Sequence, residues 1–333
     1  MPVHIFQVDE RNFEICRKKG LAGIFDAKKE NIDDTLISHL MLLKKGDPVL
    51  FYVGKGKGKG TKGKSKKELH GIWKIASEPF YDTTPIWSDQ LYPYRVCVEE
   101  MVDSMFDVPL KLSDVYHLRD TGQVWTFSLM RNFVAVNAVF SMTNQEYNAI
   151  FDEFIKLNPG GGDTHYLVEP YEAPNSPLNK RIRYKNNNPQ YESSLMALIA
   201  QGLVKQSYTS VFQNYNDYSF YIPTNWGKEI DILLLHSHPN KPNVVSSYDI
   251  VEVKRDTFGE EGLEQLLNYE SWFINKRVKG DSNMIRSIAI AKSFSKKVTD
   301  YLKAREKYEN KHVILLTYGV NEHQEVVLTP VSY

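Results

Sequence analysis

The stretch EIDILLL, residues 229–235, places one aspartate, Asp231, near the start of an otherwise apolar run. Such a run is typical of a buried β-strand. Residues 248–254, YDIVEVK, form a second run of this kind that ends on Glu252 and Lys254. Side chains two residues apart in a strand share one face, so these two should lie side by side. Since a buried charge requires a partner, the two runs indicate a polar site.

Carboxylates from two neighbouring strands suit a divalent cation that prefers oxygen ligands. Asp231, Glu252 and the main-chain carbonyl of Val253 would form an all-oxygen site for Mg²⁺, for which Mn²⁺ is expected to substitute. Such an ion can activate a water molecule and stabilise charge on a scissile phosphate. Lys254 can orient the nucleophile or offset phosphoryl charge. For Glu252 and Lys254 taken alone, an ordinary ion pair at a strand end is the alternative.

Strands and helices alternate around these two runs. Helices are predicted at residues 191–204, 259–276 and 295–308, and strands at 229–235, 247–254, 285–291 and 312–318. This alternation predicts an α/β domain with a mixed central sheet.

Two of these helices carry polar residues that could belong to the site. Glu192 precedes Leu195, Met196 and Ile199 on one helix face, which should direct its carboxylate toward the sheet. The alternative for Glu192 is a first-turn carboxylate that interacts with the helix dipole. In the next helix Gln265 and Tyr269 stand at i and i+4, so both could face the site. The alternative is that they only pack against neighbouring residues.

Asp231, followed 21 residues later by Glu252-Val253-Lys254, resembles the D…(D/E)xK signature of the PD-(D/E)xK nuclease superfamily. The sequence QLLNY, residues 265–269, is similar to the QxxxY element of its RecB-like branch and of archaeal mismatch endonucleases. The resemblance covers roughly residues 190–320. It implies a catalytic set of Glu192, Asp231, Glu252, Lys254, Gln265 and Tyr269, with Asp231, Glu252, Val253 and Glu192 as metal ligands.

One segment departs from that pattern. Residues 236–242, HSHPNKP, make the hairpin tip between the two strands longer than the motif needs. His236 and His238 could suggest a further metal ligand set, but we expect them to lie in a solvent-exposed turn.

In the first half, strands are predicted at residues 3–8, 48–53, 69–76, 94–99 and 133–140, and a helix at 143–157 with Thr143 and Glu146 as a capping box. Between two of these strands, residues 54–67 read GKGKGKGTKGKSKK, with seven lysines and five glycines. We expect a long flexible loop whose lysines track DNA phosphates, or else a solvated tether without function. The phosphate candidates are Lys55, Lys57, Lys59, Lys62 and Lys64.

The series KGDPVLFYV (45–53), HGIWKI (70–75), SEPFYDTTPIW (77–87) and YPYRV (92–96) resembles an EVE domain. This is a PUA-superfamily β-barrel related to the YTH readers of methylated adenine in RNA. The resemblance spans about residues 1–157 and implies a PUA-like β-barrel with flanking helices.

An EVE domain of this kind implies a pocket for an extruded modified base. Its candidate residues are Asn12, Trp73, Phe80, Tyr81, Trp87 and Tyr92. The alternative is that the aromatic residues among them fill the core of the barrel. Residues 20–25, GLAGIF, depart from the YTH readers, which carry a cage tryptophan there. The pocket is therefore expected to be larger or to hold a different modified base.

The 333 residues are enough for two domains. Five prolines between residues 159 and 189 and a lack of periodicity predict a linker there, between domains at 1–158 and 190–333. With 41 basic and 41 acidic residues the chain is not a bulk polycation, so local charge clusters must bind any nucleic acid. Two cysteines exclude a disulfide framework. We expect a cytoplasmic protein without a secretory signal or a membrane partner.

A modified-base reader joined to a PD-(D/E)xK nuclease is the architecture of modification-dependent restriction endonucleases. The resemblance therefore implies a Mg²⁺-dependent endodeoxyribonuclease that acts on double-stranded DNA carrying a modified base. Because both strands must be cut, a homodimer is expected. Two alternatives stay open: a mismatch- or structure-specific repair nuclease, and a non-catalytic nucleic-acid-binding protein.

Overall fold

The computed structural model describes residues 2–54, 67–101, 106–126, 139–162 and 165–333. The chain divides into two compact units, Met1–Ile182 and Arg183–Tyr333. Most of the segment predicted as a linker therefore belongs to the first unit. Among the described residues, no helix has the length and apolar character needed to cross a membrane.

Main-chain hydrogen bonds attach residues 165–182 to the first unit. The amide of Val168 donates to the carbonyl of Lys18 at 3.0 Å, and the amide of Tyr171 donates to the carbonyl of Lys19 at 2.8 Å. Such bonds require no apolar periodicity, because every non-proline residue carries the same main-chain groups. The segment consequently has the composition of a linker although it is bonded to the fold.

A curled mixed sheet forms the first unit. Its strands among the described residues are β1 Val3–Asp9, β2 Leu21–Ile24, β3 Pro48–Gly54, β4 Glu68–Ile75, β5 Phe80–Tyr81, β6 Tyr94–Glu100, β7 Leu110–Lys111 and β8 Val139–Met142. Their order is β2-β6-β4-β3-β1-β8, with β5 paired to β6 and β7 paired to β4. The helices described in this unit are α1 Glu10–Lys19, α2 Glu30–Leu40, α3 Tyr116–Asp120 and α4 Asn144–Leu157. This curled sheet with its helices confirms the fold that the resemblance implied for the first half, an α+β domain of PUA-like type with flanking helices.

Capping side chains fix the ends of two helices in this unit. The Asp9 side chain accepts from the amide of Asn12 at 2.8 Å and begins α1, and Gly20 ends this helix with a φ of +56°. Thr143 and Glu146 form the predicted capping box of α4. The predicted strand at 133–140 falls mostly outside the described residues, and so does the run between β3 and β4 that holds Lys55 to Lys64.

The second unit is built on a six-stranded mixed sheet in the described residues 183–333. The strands of this unit, inside and outside that sheet, are β9 Tyr184–Lys185, β10 Asn188–Pro189, β11 Asp217–Pro223, β12 Glu229–His238, β13 Lys241–Val253, β14 Thr257–Phe258, β15 Ile285–Ala291, β16 Ser293–Phe294, β17 Val313–Val320 and β18 Val326–Val331. Its helices are α5 Glu192–Val204, α6 Thr209–Phe212, α7 Glu260–Lys276 and α8 Lys296–Glu309.

The main sheet has the order β11-β12-β13-β15-β17-β18. Strands β11 to β13 are antiparallel, whereas β13, β15 and β17 run parallel. Parallel neighbours require crossover connections, which α7 and α8 provide. This mixed sheet with crossover helices confirms the α/β class predicted for the second half.

The hairpin between β12 and β13 corrects one expectation from the sequence. Both strands extend further than predicted, so that only residues 239 and 240 form the turn. His238 is exposed as expected, but His236 is buried inside β12. Its Nε2 lies 3.0 Å from Oδ2 of Asp249, which also pairs with Arg286. His236 therefore belongs to a packed ion-pair cluster and not to an exposed turn.

Candidate functional site

The antiparallel pair β12 and β13 brings two carboxylates together. The ladder pairs Ile232 with Val251, and the next facing positions are those of Asp231 and Glu252. Oδ2 of Asp231 accepts a hydrogen bond from the amide of Val253 at 2.7 Å. The aspartate side chain is thus held against the end of β13, beside Glu252.

Lys254 follows β13 and lies on the face that carries Glu252, as the period of a strand requires. Its Nζ donates to Oε1 of Glu252 at 2.6 Å, and its amide donates to the carbonyl of Ile290 in β15 at 2.8 Å. The same Nζ is 3.8 Å from Oε1 of Glu192, the first residue of α5. Because the Glu192 side chain is 45% exposed, it occupies the rim of the site.

The electrostatics of this site favour an added cation. Glu252 is fully buried, and its Oε2 has no hydrogen-bond donor among the described residues. Burial raises the pKa of Glu252 to about 7, although the neighbouring Lys254 lowers it. Burial and then the Glu252 charge raise the pKa of Asp231 well above its usual range. Burial by itself lowers the pKa of Lys254, but the two carboxylates raise it by more. The pKa therefore lies above its usual value, and the ammonium stays charged.

Gln265 and Tyr269 in α7 fix the start of β12. The hydroxyl of Tyr269 donates to the carbonyl of Glu229 at 2.5 Å and accepts from Nε2 of Gln265 at 2.6 Å. Burial raises the pKa of Tyr269, and the charges of Glu252 and Asp231 add to that effect. The ring therefore lies within electrostatic range of both carboxylates, and its hydroxyl holds the strand two residues before Asp231.

The donor set fits a hard divalent cation. Asp231 and Glu252 offer adjacent oxygens, one of them buried without a donor, and each carboxyl resists ionisation unless positive charge is added. Within the described part of the chain, no group of three or more His, Cys, Asp or Glu residues could hold a metal. Glu192, an expected ligand, lies at the rim beside Lys254.

In the first unit, a smaller cluster contains three of the residues predicted to bind a base. Nδ2 of Asn12 donates to the hydroxyl of Tyr92 at 3.0 Å and to Oδ2 of Asp89 at 3.2 Å. The Tyr92 hydroxyl donates to the same oxygen of Asp89 at 2.8 Å. The rings of Trp87 and Tyr92 meet at 5.0 Å between centroids with an interplanar angle of 61°. Trp87 itself is buried, whereas Tyr92 is partly exposed.

The buried guanidinium of Arg95 holds the loop that carries Trp87 and Tyr92. Its Nε donates to the carbonyl of Tyr92 at 2.7 Å, and its Nη2 donates to the carbonyl of Thr84. Arg95 also pairs with Asp82 at 3.1 Å, and its Cζ lies 5.3 Å from the centre of the Trp87 ring. The loop is thus fixed by main-chain bonds to one buried cation.

The position expected to enlarge the pocket is occupied. A Cβ atom built on Gly23 would lie 2.8 Å from the ring of Trp87 and 3.0 Å from Cβ of Tyr92. Trp87 therefore packs against the strand where YTH readers carry a cage tryptophan, and the glycine makes room for it.

The remaining predicted base-binding residues have other packing partners. Trp73 is fully buried and packs edge-on against Phe51 at 5.9 Å. Phe80 stacks on Tyr171, and the Tyr81 ring lies 3.7 Å from the guanidinium of Arg181. The structure does not bring these three into the cluster of Asn12, Trp87 and Tyr92. Lys55, Lys57, Lys59, Lys62 and Lys64 lie outside the described residues.

The sequence analysis missed two polar residues, Asp89 and Arg95, at the cluster of Asn12, Trp87 and Tyr92 in the first unit. Asp89 binds both Asn12 and Tyr92, and Arg95 fixes the loop. Arg95 stands in a strand, where an otherwise apolar YPYRVCV run could have indicated a buried cation that requires partners. Asp89 stands in a polar loop without any such signal.

Residues 31–153 match the family model of the EVE domain. The first unit therefore contains an EVE domain, as the sequence predicted. No curated protein sequence matches the chain.

Three solved structures show partial likeness to this chain. Human THYN1 protein in complex with DNA containing 5-methylcytosine is 13% identical, with a TM-score of 0.32, over 46% of this chain and 98% of that one. A complex of EndoMS with double-stranded DNA is 11% identical, with a TM-score of 0.28, over 90% and 97%. A repair endonuclease from Pyrococcus abyssi is 11% identical, with a TM-score of 0.26, over 85% and 94%.

Proposed function

We propose that this chain is a metal-dependent DNA endonuclease with its catalytic centre in the second unit. The observation that carries the proposal is the placement of Asp231, bonded to the amide of Val253, beside the ion pair of Glu252 and Lys254 on two paired strands. A buried carboxylate without a donor, a second carboxylate and an ammonium group are the parts that phosphodiester hydrolysis with a divalent cation requires. The PD-(D/E)xK resemblance of the same three residues supports this assignment.

Each residue of the centre has a defined chemical task in this proposal. Asp231 and Glu252 would hold Mg²⁺, with the carbonyl of Val253 as a third oxygen ligand. When bound, Mg²⁺ supplies an activated water molecule and offsets charge on the scissile phosphate. Lys254 orients that water and stabilises negative charge on the phosphoryl oxygens. Hydrolysis breaks one P–O bond, and the water provides hydroxide to phosphorus and a proton to the leaving oxygen.

The EVE domain would select the substrate. Its relation to readers of methylated bases supports recognition of a modified base that is flipped out of double-stranded DNA. Asn12 and Tyr92 are the polar edge of the proposed pocket, and Trp87 is its buried wall. Since both strands have to be cut, we further propose that the protein works as a homodimer.

The test is cleavage of matched plasmids that carry 5-methylcytosine, 5-hydroxymethylcytosine, its glucosylated form or N6-methyladenine. We expect Mg²⁺-dependent cutting of at least one modified plasmid and none after Asp231→Asn. Glu264→Gln is the matched control, because this exposed carboxylate in α7 lies outside the site. Cutting of unmodified mismatched duplex alone would favour a repair nuclease. Binding without cutting under any divalent cation would favour a non-catalytic protein.

A further inference from the structure

An exposed tryptophan lies beside the carboxylate site and has no role in the mechanism described above. Trp226 stands at the tip of the turn that joins β11 to β12, with 42% of its surface exposed. The turn is closed by Thr224, whose amide and hydroxyl both donate to the carbonyl of Lys228, at 2.8 and 2.6 Å. Gly227 takes a φ of +79° there, which a tight turn requires.

The Trp226 ring is held in place by two aromatic neighbours. It stacks on Tyr269 with 5.8 Å between centroids and an interplanar angle of 28°. Trp272 meets it edge-on at 5.9 Å and 77°. Single exposed apolar side chains are common, so exposure alone carries no argument. A flat ring packed against two others, with nearly half of its surface exposed, is by contrast an ordered stacking platform.

The platform is close to the proposed scissile position. Trp226 stacks on the ring of Tyr269, whose hydroxyl binds the carbonyl of Glu229. At the rise of a β-strand, Asp231 is about 7 Å further along β12. Lys228, in the same turn, is exposed, and in the described parts of the chain it has no carboxylate partner. The turn therefore places a ring and a cation directly before the strand that carries Asp231, and Tyr269 links the ring to that strand.

We propose that Trp226 binds an unpaired nucleobase next to the phosphate that is cut. This inference rests on the proposed nuclease function and adds the class of substrate that the centre prefers. Every base has a π-face that can stack on an aromatic side chain, whereas a paired base inside a duplex is already stacked on both faces. An exposed indole beside a phosphate-binding centre thus favours a strand whose base has left the helix.

Trp226→Leu and Trp226→Phe provide the matched pair for the test. Leucine keeps apolar packing on Tyr269 but lacks a flat ring, and phenylalanine keeps the ring. Tyr301→Leu is the control, because this tyrosine in α8 of the same unit is exposed to a similar degree, 46%. Unchanged far-UV circular dichroism and melting temperature show that a variant is folded.

Binding is measured with Ca²⁺ in place of Mg²⁺, on a duplex with one bulged 2-aminopurine and on its fully paired counterpart. We expect Trp226→Leu to bind the bulged duplex about 5- to 150-fold more weakly, the range that corresponds to about 1–3 kcal/mol for one stacked base. Quenching of 2-aminopurine fluorescence should disappear with it. The affinity of Trp226→Leu for the paired duplex should stay near the parent value. The affinities of Trp226→Phe and Tyr301→Leu for both duplexes should also stay near the parent values.

Equal losses on both duplexes, or no loss on the bulged one, would overturn the stacking proposal. A change of sedimentation coefficient in Trp226→Leu without a change in DNA binding would assign the ring to a second copy of the chain instead. Cleavage in Mg²⁺ separates this inference from the proposed function. If Asp231→Asn abolishes cutting but Trp226→Leu leaves cutting intact, the nuclease proposal stands and the stacking platform is refuted. If binding of bulged DNA depends on Trp226 but no cutting occurs, the stacking platform stands and the nuclease proposal is refuted.

Discussion

Glu252 is a buried carboxylate whose surroundings do not satisfy it. One oxygen contacts Lys254 and the other has no donor in the described residues. A buried carboxylate that lacks hydrogen bonds destabilises a fold unless it is protonated or joined by a cation. The residue is therefore better explained by a ligand than by packing, and the raised pKa gives this explanation a measurable consequence.

We expect Glu252→Gln to stabilise the metal-free protein at pH 8 and to have little effect at pH 5. The folded-state pKa of about 7 exceeds the usual 4.5, so stability is full below pH 4.5 and falls as pH rises through 7. Removal of the charge should recover on the order of 1–3 kcal/mol at pH 8, since one pKa unit is about 1.4 kcal/mol. Thermal unfolding in EDTA at both values measures this, with Glu264→Gln as the control. An equal shift at the two pH values would contradict the assignment.

Lys254 gives a second prediction at this scale. Lys254→Ala should lower the rate of Mg²⁺-dependent cleavage by at least ~100-fold, which is typical of the loss of one preorganised charge. Single-turnover rates on the preferred plasmid measure the effect without a contribution from product release. Lys241→Ala, at the exposed hairpin end of β13, is the matched change and should cut at the parent rate. A Lys254→Ala rate within a few-fold of the parent would remove the lysine from the mechanism.

At the scale of elements, strong apolar patterns predicted most of the second unit. The strand at 285–291 is confirmed without a shift, and the helices at 259–276 and 295–308 are confirmed to within one residue. The candidate site was predicted from the same patterns, because Asp231 and Glu252 interrupt apolar strands. Charges inside a buried run are informative because burial demands a reason for them.

Other elements and residues gave no such signal. The buried strand β11 contains the polar residues Asp217 and Ser219, so no continuous apolar run marks it, and α1 buries only Asn12, Phe13 and Cys16. Trp226 stands in a turn, where composition does not distinguish a binding residue from a solvated one. Its neighbours Tyr269 and Trp272 come from a helix distant in sequence, so the platform depends on tertiary structure.

The run of lysines between β3 and β4 yields a prediction at the scale of one segment. Deletion of residues 56–66 should weaken DNA binding whether or not the DNA is modified. It should also flatten the slope of log affinity against log salt by about 0.9 for each phosphate that a lysine no longer neutralises. Replacement of the lysines by glutamine at unchanged length is the control that separates charge from loop length. If the slope stays the same in both variants, the run is a passive tether.

Across the whole molecule, 41 basic and 41 acidic residues cancel, so overall charge does not attract DNA. Binding must then depend on local features in each unit. We expect the lysine run to make nonspecific phosphate contacts, the second unit to carry out the chemistry and the EVE domain to select the base. Because these tasks lie in different parts of the chain, a variant can lose one of them alone.

Tyr92→Leu should separate the choice of base from the chemistry. It removes a partly exposed ring and the hydroxyl that binds Asn12 and Asp89. We expect weaker cleavage of modified plasmid, by about 1–3 kcal/mol in apparent affinity, the worth of one base stacked on an aromatic ring. Mn²⁺-driven cutting of unmodified DNA should persist. Tyr116→Leu, a surface tyrosine of the same unit, is the control, and equal losses on both substrates would place the pocket elsewhere.

The attachment of residues 165–182 to the first unit determines where this protein can be divided. A fragment that ends at residue 158 would lose Tyr171, which stacks on Phe80 with 6.3 Å between centroids and contacts Asp82 and Arg95. We expect fragment 1–182 to be soluble and resistant to chymotrypsin, which has no aromatic cleavage site in the lysine run, and fragment 1–158 to be degraded rapidly. Equal resistance of the two would show that the segment is dispensable. A designer who wishes to transfer the EVE domain to another protein should therefore join the chains after Ile182.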